Sequence, residues 1–315
     1  MLLKLREINL NSIDYIMSEK ARKEIIELYN EYGSTDEIID ISDFEVPTKL
    51  FRYSSINEYL IKDLENNSLS ATSPTEFNDL YDSTMHLDNV SDYRRRFKEL
   101  NDGSKKLGMD EVISKEMETI LIKQAEELDE HSLTYLTKDF KIICLSSASD
   151  DIKMWSHYSN KNKGISVAYD FNKCTTSLKK FIYPVIYITK PIDVTELCEV
   201  KNQLMLAALI SVISKFKDWE HEREWRIVFY LLNDPEKRID IINIPKPEFI
   251  ILGSKFIENI EVSRFSNRSE YLLLQKFIKY VEKAEIELKI VKPQIRSFQL
   301  EFEEINIKDI LSEFR

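Results

Sequence analysis

The chain has 315 residues, 43% hydrophobic and 31% charged, which is enough apolar material for a core and too much for a disordered chain. Its formal charge of −11 disfavours non-specific binding to duplex DNA or anionic membranes, though it leaves room for a local basic groove. No apolar run reaches the ~20 residues that cross a bilayer, and the N-terminus lacks a signal-peptide core and cleavage site, so a cytoplasmic protein with no membrane partner is expected.

Residues 1–46 read as an acidic helical extension, broken at Tyr32 to Thr35 and ended by Pro47. An α+β domain then spans 47–315, with a charged helical insertion at about 90–136. Within that domain, 49–53 is a short strand, and Ser54 and Ser55 are candidate helix caps. Ile56, Tyr59, Leu60 and Leu64 recur at helical spacing over 56–66. A second strand covers 69–72, and a loop follows over 73–79. Strands are expected at 141–146, 164–170, 183–189 and 225–231. Helices are expected at 152–159 and 196–216. The C-terminal part reads as a strand over 249–252 ending at Gly253, a helix over 270–283, and a last strand over 286–291 before Pro293. Strands and helices do not alternate regularly, which predicts a mixed or antiparallel central sheet of short strands flanked by helices rather than a doubly wound fold.

Three cysteines, Cys144, Cys174 and Cys198, are widely spaced and form no CxxC, so neither a disulfide framework nor a zinc site is indicated. Cys144 lies in an apolar run and is expected to be buried. Only five glycines occur, and neither GxGxxG nor GxxxxGK[ST] is present, which disfavours ordinary Rossmann and P-loop phosphate binding. Gly164 follows Asn162 and Lys163 in a turn and is read as serving backbone geometry alone.

Two segments carry most of the chemistry. Trp155, Ser156, His157 and Tyr158 place a stacking ring, two hydroxyls and an imidazole within four residues. His157 suits acid–base work, while Trp155 or Tyr158 suits stacking on a base. Core aromatics and a capping histidine are the plain alternative. Downstream, a strand running back from Trp225 would place Glu222, Glu224 and Arg226 on one face. Two carboxylates and a guanidinium there could orient a ribose, stabilise a cation or bind an anion; a solvated ion pair is the alternative. Arg52 could clamp phosphate, and Asn78 and Asp79 could order a turn or meet a ligand.

Taken together, Phe51-Arg52-Tyr53, Ser73 to Asp79, Cys144 to Gly164 and Trp219 to Arg226 resemble a bacterial family that carries only a domain-of-unknown-function label. Its pattern is an aromatic-basic-tyrosine strand, an SPxxFND loop, a CLS…MWSHY…KG segment and a WExEWR strand, here spread from about Lys49 to Gly253. Leu80 stands where the family often has proline after FND, and the last motif is more loosely spaced. The order of these segments also resembles that of the ADP-ribosyltransferase superfamily.

That second resemblance implies an NAD-using transferase acting on a nucleic acid or protein acceptor. Glu224 would be the catalytic carboxylate and Tyr158 the stacking residue. Arg52 and Tyr53 would grip the dinucleotide, with Trp155, Asn78 and Arg226 as further binding residues. His157 and Glu222 would position the acceptor. The first resemblance implies a role in phage defence or as a toxin, with a regulatory partner protein. Two other readings stay open: a metal-dependent nuclease built on Asp79, Asp82, Glu222 and Glu224, and a non-catalytic sensor or binding module.

Overall fold

A computed structural model describes residues 46–79, 81–83, 88–110, 113–137, 140–179, 181–190, 204–230 and 241–314. Apart from Val46, the expected extension at 1–46 lies outside the described residues. In chain order the elements are β1 (Lys49–Ser54), α1 (Glu58–Glu65), β2 (Ser68–Ser70), α2 (Asn89–Lys106), α3 (Lys115–Thr137), β3 (Phe140–Ser146), α4 (Ile152–Tyr158), β4 (Ile165–Asp170), α5 (Thr176–Lys179), β5 (Ile182–Pro184) and β6 (Ile186–Ile188). They continue as α6 (Leu204–Val212), β7 (Ser214–Phe216), β8 (Glu224–Tyr230), β9 (Ile241–Asn243), β10 (Phe249–Leu252), α7 (Phe256–Ser266), α8 (Arg268–Ala284), β11 (Glu287–Gln294), β12 (Gln299–Glu304) and α9 (Ile307–Ser312). The fold is α+β.

The chain divides into two compact units. One takes in 73–140 and 186–217; it holds the long helices α2 and α3, the apolar helix α6, and a parallel β6–β7 pair. The other takes in 141–185 and 218–315 with the described residues up to 72. It is built on an eight-stranded sheet of order β12-β11-β10-β4-β1-β3-β8-β5. This sheet is mixed: β10 and β11 run parallel, while β1–β4, β1–β3, β4–β10, β5–β8 and β11–β12 are antiparallel.

Side-chain alternation gives that sheet two different faces. Leu50, Ile165, Val167, Tyr169, Ile227, Ile250 and Leu252 face one way into the main core. Helix α8 covers them with Leu274, Phe277, Ile278 and Val281, a stripe at i, i+3, i+4 and i+7. On the reverse face Phe51, Ala168, Ile251 and Val291 form a smaller cluster, capped by Trp155 of α4.

Several expectations need correction. Asn57, not Ser54 or Ser55, caps α1, its Oδ1 accepting from the Leu60 amide at 2.9 Å. The stretch 183–189 is two strands: β5 pairs with β8, and β6 pairs with β7 in the other unit. The helix expected over 196–216 ends at Val212, and β7 follows it. Strand β11 runs on through Pro293. Pro293 lies opposite Leu300 of β12, past Ile290, where pairing with β10 has stopped, so only one side of the strand is paired there. Cys144 is exposed rather than buried, because Ile143 and Leu145 take the core face of β3 and turn Cys144 to the other. Among the described residues no helix is long and apolar enough to cross a membrane.

Candidate functional site

The residues that converge do so within the sheet-bearing unit, on the reverse face of its sheet. Asp151 starts α4 by accepting from the Met154 amide at 2.9 Å. The helix docks through Trp155, which is 0% exposed. Its indole meets the Tyr53 ring edge-on at 5.1 Å, and its Nε1 donates to the Ser149 carbonyl at 2.8 Å. With Trp155 fixed inside, His157 and Ser156 are left exposed and Tyr158 half-buried.

Tyr158 reaches the other half of the site. Its hydroxyl donates to Glu222 Oε1 at 2.6 Å, a length typical of a charge-assisted bond. Glu222 is 2% exposed and ends a 3-10 turn (Lys217–Glu222). Its carbonyl accepts from Ser146 Oγ at 2.6 Å, which pins that turn to β3. Arg223 then adopts a left-handed φ of 45° and is exposed before β8 begins. This kink means that Glu222 does not share a strand face with Glu224 and Arg226, as simple alternation suggested.

Glu224 and Arg226 do share a face, and they bind each other. Arg226 Nε donates to Oε1 at 2.8 Å and Nη2 to Oε2 at 3.1 Å, a two-pronged pair with the arginine 0% and the glutamate 5% exposed. Arg226 lies opposite the buried Tyr183 in the β5–β8 ladder. Both groups are thus buried and engaged with each other.

A ring cluster flanks Glu222. Trp219 has His157 at 6.2 Å on one side and stacks on His221 at 6.0 Å, while His157 contacts Tyr158 at 6.4 Å. His221 Nδ1 lies 3.1 Å from the Asp218 carbonyl, while its Nε2 is buried without a hydrogen-bond partner. Trp219 and His221 lie in the 3-10 turn and Arg223 at the kink, so none of the three stands on β8.

Other expected site residues are elsewhere or already engaged. Arg52 points to the main-core side of β1, opposite Tyr53; its Nη2 donates to the Ser70 carbonyl at 3.2 Å and its Nη1 lies 3.8 Å from Asp63. Tyr53 donates to the Ala148 carbonyl at 3.0 Å and so braces the loop before α4. Burial, and then the carboxylates of Asp151 and Asp150, push its phenol far above the ordinary value of 10.0. The stability this neutral tyrosine contributes is intact below that value and is lost as pH rises beyond it. Urea unfolding between about pH 9 and 11 is expected to show the loss, and Tyr53→Phe to reduce it. Trp155 is fully enclosed.

Asn78 is exposed in the helical unit, where Asp79 Oδ1 accepts from the Tyr81 amide at 3.0 Å, an Asx-type turn. Asp82 pairs there with Lys215 at 3.4 Å, both nearly buried. Among the described residues no three His, Cys, Asp or Glu side chains gather as a metal site.

No curated protein and no solved structure matches the chain. The model of one family, described as a protein of unknown function (DUF2971), matches residues 154–227, a span that runs from α4 into β8 and omits Arg52, Tyr53 and Asn78.

Proposed function

We propose that the protein is an ADP-ribosyltransferase-like enzyme that uses NAD, with Glu222 rather than Glu224 as the acting carboxylate. The observation that carries this reading is the 2.6 Å bond between Tyr158 and Glu222 beside the ring surface of His157 and Trp219. Breaking the nicotinamide–ribose bond leaves an oxocarbenium-like C1′, which a fixed carboxylate stabilises. The bond's electron pair leaves with nicotinamide. An acceptor nucleophile, on a nucleic acid or protein, then bonds to C1′ and gives up its proton, with exposed His157 near enough to Tyr158 to take it. Flat rings suit the nicotinamide or adenine, and exposed Arg223 suits the diphosphate in place of Arg52. Glu224 and Arg226 act from below as a rigid brace.

Purified protein incubated with NAD and cell lysate as acceptor source is expected to release nicotinamide. Glu222→Gln is expected to cut the release roughly a hundredfold or more while leaving the fold unchanged. Undiminished release by that variant sinks the assignment. If the protein acts as a toxin or in phage defence, its expression in bacteria slows growth and the same substitution relieves this.

A binding-module reading has its own supporting observation: Trp155, Glu224 and Arg226, three of the motif residues, are core groups engaged with the protein itself. Absence of nicotinamide release from folded wild-type protein favours that alternative.

A further inference from the structure

On the main-core side of the sheet-bearing unit, an open groove of about 820 Å³ runs along the outer face of α8. Its lining carries four lysines, Lys246, Lys276, Lys279 and Lys283, against one acid, Glu65, in a chain whose net charge is −11. Lys276, Lys279 and Lys283 recur at i, i+3 and i+7, so they form one row spanning about 10 Å of helix at 1.5 Å per residue. Two of the four have structural work: Lys246 Nζ donates to the Ala284 carbonyl at the end of α8, and Lys276 pairs with Glu58 at 3.3 Å. Lys279 and Lys283 are exposed and, among the described residues, have no ion-pair partner. A lysine in the last turn complements the helix dipole, which accounts for Lys283 but not for Lys279 one turn earlier. The Tyr280 ring forms part of the wall, held by its hydroxyl to the Leu64 carbonyl at 2.7 Å.

We propose that this groove binds a chain of linked phosphates, as carried by a nucleoside polyphosphate or a single-stranded oligonucleotide. A row of ammonium groups rather than one cluster fits several anionic centres in line, and the volume lies within the range of small-ligand sites. Compact ammonium charges, without an arginine fork in the lining, suit phosphate as point charges rather than a planar carboxylate. The site lies on the opposite face of the sheet from Tyr158 and Glu222, so it does not depend on the transfer reading.

The test is a titration of the full chain with inorganic tripolyphosphate, ATP and a fluorescent ten-nucleotide single strand, with poly-glutamate as the carboxylate control, at two salt concentrations. At least one phosphate probe is expected to bind, more weakly as salt rises. The double variant Lys279→Gln/Lys283→Gln is expected to bind about tenfold more weakly, with the salt slope reduced by about two. Tripolyphosphate binding as well as the others assigns the site to phosphate alone, whereas preference for ATP or the strand identifies which source supplies it. The proposal is overturned if no phosphate probe binds below millimolar concentration, if the double variant binds unchanged, or if poly-glutamate binds equally well. Both lysines are exposed, so loss of fold does not confound the result, and Glu222→Gln is expected to leave this binding intact.

Discussion

Arg226→Met is expected to lower the unfolding free energy by about 3–5 kcal/mol, because it takes a two-pronged partner from a buried carboxylate. Arg226 is 0% exposed and meets both oxygens of Glu224. In β8 the two lie on one sheet face, where the neighbouring β5 contributes buried Tyr183 opposite the arginine. Removing the guanidinium takes the two-pronged partner from Glu224, which is 5% exposed. Removing both charges is a different matter, since well-packed apolar side chains replace a buried pair at little or no cost. Glu224→Leu/Arg226→Met is therefore expected to recover most of what the single change loses. Urea denaturation of wild type, both single variants and the double variant forms a closed cycle that isolates the coupling. A loss below about 1 kcal/mol for Arg226→Met would show that the pair is not the brace described here. The cycle also bears on function: Glu224→Gln is expected to disturb the buried pair with Arg226, so its effect on any activity is read against the stability loss that the cycle measures.

How far the sequence could be read depended on whether one physical signal dominated locally. Strand β4 was legible because Ile165, Val167 and Tyr169 alternate with Ser166, Ala168 and Asp170, and β10 because Phe249 to Leu252 is a short apolar run closed by a glycine. Helix α7 was not legible. Its buried residues, Phe256, Asn259, Ile260 and Ser263, sit at helical spacing, but half of them are polar, while Val262 and Phe265 face solvent. The apolar stripe that signals a helix is therefore absent. Strand β12 hides for a related reason: it is an edge strand whose exposed glutamates leave only a weak alternation. At the site, Trp155 to Tyr158 and Glu222 to Arg226 were recognisable as two segments. Their meeting through Tyr158 and Glu222 was not, because it depends on the left-handed Arg223, and arginine carries no signal for that conformation. Arg52 and Tyr53 illustrate the converse: they are adjacent in sequence, yet as neighbours on a strand they face opposite ways.

Gly253→Ala is expected to cost about 3 kcal/mol or more, and Gly164→Ala a similar amount, by forcing backbone against backbone. A Cβ at Gly253 would lie 2.2 Å from the Asn162 carbonyl oxygen, and one at Gly164 would lie 2.3 Å from that of Ser54. Neither obstacle is a side chain that can rotate away. The close approach is itself bonded: the Gly253 amide donates to the Gly164 carbonyl at 2.9 Å, and the Lys255 amide donates to the Asn162 carbonyl at 3.0 Å. Between α4 and β4 the chain passes through three consecutive left-handed residues, Asn160, Lys161 and Asn162, with φ of 49°, 57° and 68°. That conformation costs a non-glycine residue energy and persists only where its surroundings hold it. The same loop returns to α4, since the Asn162 amide donates to the Trp155 carbonyl at 3.1 Å and the Lys161 amide to that of Ser156 at 3.2 Å. Displacing it moves the helix that carries His157 and Tyr158, so whatever activity the site has is expected to fall with stability. Gly103 is the control, because it lies within α2 and a Cβ there would meet nothing within 4 Å, and Gly103→Ala is expected to stabilise by about 0.5–1 kcal/mol. Thermal unfolding of the three variants separates the two effects of adding one methyl group. Equal shifts for all three would mean that the close contacts at Gly164 and Gly253 do not hold α4 in place.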